Sequence, residues 1–158
     1  MNPECPECGA RLEDGRSCRD YFHDLLILES QVQGAAGALP HFLAVASYNL
    51  QHPSTFIPSA LFELRGAMAD VLTGRTTLDR IRQQVRRSTN GAVRVMRRED
   101  MVLSLTEETR LRAWPRVWDM TVRDVCQTHP DQYVDEVRQW AESVIVALDA
   151  RIGRLPAV

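Results

Sequence analysis

The residue pattern predicts an all-α fold, a helical bundle led by a short cysteine-containing knuckle. Three observations predict it. Apolar residues recur at helical spacing in successive stretches. Segments rich in Gly, Pro, Ser or Asn separate those stretches. A Cys5-Pro6-Glu7-Cys8-Gly9 turn precedes the first of them.

Taken in order, Asp14-Gly15 closes the knuckle and Ser17 caps the first helix, with Asp20 as its capping-box partner. This helix reads from about Cys18 to Gln31, with Tyr21, Phe22, Leu25, Leu26 and Leu28 apolar. Gly34-Ala35-Ala36-Gly37 breaks the pattern. Pro40 suits the first turn of a second helix, which stops at His52 because Pro53 disfavours a helical residue before it. A third helix reads from about Ser59 to Leu72 and a fourth from Leu78 to about Arg87. Residues 92–105 fit either a short β-hairpin or an extended loop, since Ala92-Val93-Arg94-Val95 and Met101 to Leu105 both have strand character. Thr121 heads a short helix through Cys126. The last helix reads from about Asp131 to Ile152, with Tyr133, Val134, Val137, Trp140, Ala141, Val144, Ile145 and Leu148 on one stripe.

The 158 residues fit one domain, large enough to bury roughly 70% of the unfolded chain's surface. Residues 1–17 read as a knuckle segment packed on a helical domain of residues 18–158. The hydrophobic share of 44% and charged share of 25% are those of a globular protein. A net charge of -2 argues against a broad nucleic-acid or anionic-membrane surface. All 19 basic residues are arginine, which a GC-rich genome explains. No apolar run approaches a membrane span, and Met1-Asn2-Pro3-Glu4-Cys5 lacks the build of a signal peptide. A cytoplasmic setting, with reduced thiols, is therefore expected.

In that setting the four cysteines point to metal ligands or inert core residues. A Cys-x2-Cys turn presents two sulfurs to one ion, and the glycine after it permits a tight backbone. Cys18 offers a third sulfur. Consecutive helices joined by a short loop pack antiparallel, so the end of the second helix lies beside the start of the first and brings His52 to Cys18. His41 is about eleven residues from His52, or ~16 Å along the helix, and belongs at the opposite end. His23 sits about 140° round the first helix from Cys18. The fourth ligand therefore ranks His52 first, His23 second and His41 third. The expected site is Zn2+ held by Cys5, Cys8, Cys18 and His52, and the expected fold an all-α bundle with an N-terminal zinc knuckle. Four protein ligands close a zinc site and leave no place for water, so the metal reads as structural. Cys126, beside Val122 and Val125, reads as a small buried hydrophobe, and His129 as a loop residue.

The run from His41 through Tyr48 to Gln51-His52-Pro53, following Cys5-Pro6-Glu7-Cys8-Gly9 and Cys18, resembles an uncharacterised bacterial family, domain of unknown function 5946. Thr121-Val122-Arg123-Asp124-Val125 and Val137-Arg138-Gln139-Trp140-Ala141 are similar to its later segments. The chain departs from the pattern in Ser17-Cys18-Arg19, where Gly-Cys-Trp is common, and in Ala46, where Asp often follows the Val. The second departure weakens any claim to a catalytic carboxylate on the second helix. The resemblance implies no established activity; it supports the architecture and the metal.

His41 and Tyr48, seven residues apart, share a helix face and frame a candidate pocket. A core face with hydrogen-bonded polar atoms is the simpler reading. Arg80, Arg82, Arg86, Arg87, Arg94, Arg97 and Arg98 form a basic stretch without interleaved aromatics, better read as a solvated helix face with local ion pairs. Trp114 and Trp118 pack as core or as an interaction patch. The function expected is that of a zinc-stabilised interaction or regulatory protein, with an unidentified protein or small-molecule partner, as a monomer or homodimer. Two alternatives stand beside it. One is a metal-dependent hydrolase with an open site, using His52 with His41 or His23 and a carboxylate such as Glu29 or Asp24. The other is a weak nucleic-acid binder using the arginine stretch.

Overall fold

The computed structural model describes residues 3–32, 37–89 and 104–153. Among them are seven helices and no strand: α1 (Cys18–Gln31), α2 (Ala38–Gln51), α3 (Pro58–Leu72), α4 (Leu78–Thr89), α5 (Leu105–Arg112), α6 (Val122–Val125) and α7 (Tyr133–Ile152). Single 3-10 turns at Pro53–Thr55 and Pro130–Gln132 follow α2 and precede α7. None of these helices is long and apolar enough to cross a membrane.

Local chemistry sets the helix starts. Ser17 and Asp20 form the expected capping box, with the Ser17 N–H donating to Asp20 Oδ2 at 2.7 Å. Thr121 and Asp124 repeat it at α6. The proposed hairpin or loop at 92–105 falls outside the described residues up to 103. Ser104 and Leu105 themselves begin α5, where Ser104 is capped reciprocally by Glu107. That capping box was legible in the sequence, but α5 buries none of its residues and so carries no apolar stripe.

The core forms where α2 packs along α7 and α3, and where α1 packs on α6. Trp140, Val137, Ala141, Val144 and Leu148 of α7 are fully buried, as are Leu50 of α2, Leu61 and Met68 of α3, and Leu25 of α1. Val134, expected on the buried stripe, is 42% exposed: one residue on from Tyr133, it has turned about 100° out of the core. Trp114 and Trp118 are both buried, Trp114 tilted against Phe62 at 6.0 Å between ring centroids.

α1 and α2 run antiparallel, as the short connection requires. Glu29 near the end of α1 meets His41 near the start of α2, while Phe22 near the start of α1 stacks on Tyr48 near the end of α2, with centroids 4.3 Å apart. This pairing carries the last turn of α2 to the first turn of α1.

Candidate metal centre

The knuckle is a small backbone-bonded loop. Glu4 and Arg11 form an antiparallel bridge, and Leu12 N–H donates to Pro3 O at 2.8 Å. Inside that bridge Cys5 N–H donates to Ala10 O at 2.8 Å and Gly9 N–H to Cys5 O at 2.9 Å, which curls Cys5 and Cys8 to one side. Gly9 has φ +71°, a conformation that costs an L-residue about 1–2 kcal/mol. A Cβ there would also come within 3.1 Å of the Arg116 carbonyl. Gly9→Ala is therefore expected to lose at least that much stability, with a lower melting temperature as the readout.

Side chains dock the knuckle on the helices. Glu7 accepts from both the N–H and the Oγ–H of Ser54, each at 2.9 Å, which seats the Cys-x2-Cys turn on the segment just after His52. Glu13 pairs with Arg123 of α6, and its N–H donates to the Tyr21 hydroxyl at 3.2 Å.

These contacts bring Cys5, Cys8, Cys18 and His52 together, with one donor atom from each all lying within 4.8 Å of one another. Cys8 Sγ and Cys18 Sγ are 3.5 Å apart, and Cys5 Sγ and His52 Nε2 are 3.7 Å apart. Tetrahedral zinc with bonds of about 2.3 Å to sulfur and 2.0–2.1 Å to nitrogen implies S···S edges near 3.8 Å and S···N edges near 3.6 Å. The donor set and its spacing fit that ion. Cys8 and Cys18 are buried, while Cys5 and His52 are partly so.

The His52 ring is fixed in orientation. Its Nδ1 donates to the Tyr48 carbonyl at 2.7 Å. In the neutral imidazole this leaves the Nε2 lone pair facing the sulfurs. The Tyr48 ring stacks on the imidazole with centroids 4.2 Å apart, so Phe22, Tyr48 and His52 form one continuous stack.

The clustered groups perturb one another's protonation. The Cys18 thiol, hydrogen-bonded to Cys8, brings the Cys8 thiol down to about 4, against the opposing effect of burial and with help from His52. The same shared proton, then burial and the neighbouring sulfur charge, push Cys18 far up. Burial disfavours the His52 imidazolium, but the Cys8 hydrogen bond and the Tyr48 carbonyl outweigh it and raise its pKa. Burial, then the charge of the cysteines, pushes Tyr48 up to about 12. Two like charges 4 Å apart repel by about 4 kcal/mol at an effective dielectric of 20, so three thiolates coexist here only around a positive ion.

The other candidates lie elsewhere. His23 is exposed on α1. His41 is exposed and bonds through Nδ1 to Glu29 at 3.1 Å, so His41 and Tyr48 make separate contacts at opposite ends of α2. Asp24 pairs with Arg16. Cys126 is partly buried, its thiol donating to the Arg123 carbonyl at 3.3 Å, and burial raises its pKa to about 11. His129 caps the 3-10 turn before α7. Of the arginine stretch, Arg82 lies 3.7 Å from Asp79 on the same exposed face, and Arg94, Arg97 and Arg98 fall outside the described residues.

Glu29, a candidate metal carboxylate in the sequence, accepts from the buried Tyr133 hydroxyl at 2.7 Å as well as from His41, a pairing with no local signal in the chain. Burial and then the Glu29 hydrogen bond raise the Tyr133 pKa. A phenol whose pKa is higher folded than unfolded supplies stability that is complete below the unfolded value of about 10 and is lost as pH climbs through the folded value. Tyr133→Phe is expected to flatten the alkaline loss of stability, measured by denaturant melts at pH 9 and 11.

A family model described as "Family of unknown function (DUF5946)" matches residues 3–149. The chain belongs to DUF5946. The matched region carries all four clustered side chains of the DUF5946 chain and most of α7. No curated protein and no solved structure matches the chain.

Proposed function

We propose that this DUF5946 chain is a zinc-binding helical protein in which Cys5, Cys8, Cys18 and His52 hold one Zn2+ in a structural role. The observation that carries the reading is the convergence of four donor atoms within 4.8 Å from three separate segments. When bound, the ion would supply the positive charge that neutralises the sulfurs and would join the knuckle to α1 and to the end of α2. Four protein donors fill a tetrahedral ion, which supports a structural centre over a hydrolytic one. Glu29 and Asp24, the carboxylates a hydrolase would draw on, are engaged with His41, Tyr133 and Arg16. An interaction or regulatory role in the cytoplasm goes with a closed centre, as a single domain acting as monomer or homodimer. The net charge of -2 favours a protein or small-molecule partner over nucleic acid.

Elemental analysis of protein purified without added metal tests the reading. One zinc per chain is expected for the natural sequence and a large loss for Cys8→Ser. A metal-free natural protein that takes up neither zinc nor cobalt overturns it.

A further inference from the structure

Gln51 is a fully buried polar residue at the end of α2. Its Nε2 donates to the Met120 carbonyl at 2.7 Å, and its Oε1 accepts from the Trp140 indole at 3.2 Å. The partners fix the amide's orientation, because a carbonyl only accepts and an indole N–H only donates. The residues on either side are held too. The Leu50 carbonyl accepts from the Trp114 indole at 2.8 Å, and His52 is tied through its ring to the Tyr48 carbonyl. His52 is the residue at which the chain leaves the helix, with φ -126° and ψ 66°, so its side-chain direction depends on where the preceding turn is pinned.

We propose that Gln51 is the positioning residue of the metal centre: by tying the last turn of α2 to the Met120 carbonyl and the Trp140 indole, it fixes where His52 presents Nε2 and so sets metal affinity. The proposal rests on the metal-centre reading above. It makes metal occupancy and the α2–α7 core one linked equilibrium. A tether lost at Gln51 loosens an imidazole that must meet three sulfurs within a few tenths of an ångström. Partners that orient a metal-bound histidine change affinity by about 10–100-fold when removed, and Gln51 acts one residue further along the same chain.

The test is zinc affinity by chelator competition, with the absorption of the cobalt-substituted protein as a second readout. It compares the natural protein with Gln51→Leu, Trp140→Phe and the core control Leu61→Ala, which loses buried packing but keeps both Gln51 hydrogen bonds. Gln51→Leu is expected to bind zinc about tenfold or more weakly and to shift the cobalt bands. Trp140→Phe, which removes one of the two tethers, is expected to lose less, and Leu61→Ala to keep the natural affinity and spectrum. A folded Gln51→Leu protein with natural affinity and spectrum overturns the proposal, as does an equal loss in Leu61→Ala. Should Gln51→Leu fail to fold, Trp140→Phe decides: no loss beyond that of Leu61→Ala overturns the proposal. A natural protein that binds no metal removes the centre itself, and is distinct from natural binding that ignores Gln51.

Discussion

Chelating the proposed zinc from the native protein is expected to lower its melting temperature by about 10 °C without abolishing cooperative unfolding. An ion that binds only the folded chain stabilises it by about 3–4 kcal/mol when its free concentration is 100–1,000 times the dissociation constant. In a domain of this size each kcal/mol moves the midpoint by about 2–4 °C. Complete unfolding is not expected, because the helices have a core of their own: Trp140, Tyr133, Leu25, Leu50, Leu61, Met68 and Leu148 are all fully buried.

The knuckle is the part that should let go. Its buried residues are small, Cys8 and Ala10, and its remaining anchors are polar and mostly at the surface, among them the Glu7–Ser54 bonds, the Glu13 N–H bond to Tyr21, and the Glu13–Arg123 and Arg16–Asp24 pairs. Without the ion, the Cys8 and Cys18 sulfurs, 3.5 Å apart, are joined only by a shared proton. Cys8→Ser should melt where the chelated natural protein melts, and chelator should then have no further effect. Hydrogen exchange should become fast at residues 3–16 while α7 stays protected. Identical melting curves with and without chelator, in a protein that analysis shows to be metal-loaded, would count against a structural ion.

The parts of this architecture that were legible in the sequence are those written in local chemistry. Ser17 with Asp20 announced the start of α1, and Pro53 announced the end of α2. The rule that short connections make antiparallel helices then placed His52 beside Cys18 and His41 at the far end, an arrangement seen in the Phe22–Tyr48 and Glu29–His41 contacts. Less legible were the polar residues whose partners are distant in the chain. Gln51 carries no periodic signal that distinguishes it from a surface glutamine. Glu29 and Tyr133 meet across 104 positions. Arg65, on an apolar helix, reads as an ordinary outward-facing charge, yet it is only 3% exposed. Periodicity reports which face is buried; it does not report which polar atom answers which.

Arg65 carries the second large expectation: Asp149→Ala should destabilise the protein by about 3–5 kcal/mol, and more than Arg65→Met does. The Arg65 guanidinium on α3 pairs with Asp149 of α7 and donates to the Gly153 carbonyl at 2.6 Å. It thereby satisfies a carbonyl at the negative end of the α7 dipole. Among the described residues its Nη1 has no hydrogen-bond partner. Removing Asp149 strands a buried positive charge, and loss of one member of such a pair costs about 3–5 kcal/mol. Arg65→Met instead removes the buried charge and its unmatched nitrogen, fills much of the same volume, and leaves a carboxylate that is 31% exposed and can hydrate. Urea unfolding of the two variants at pH 7 measures the difference. If Asp149→Ala proves the milder of the two, the guanidinium is already solvated or answered elsewhere, and the α3–α7 clamp does not hold the end of α7 in the way its geometry indicates.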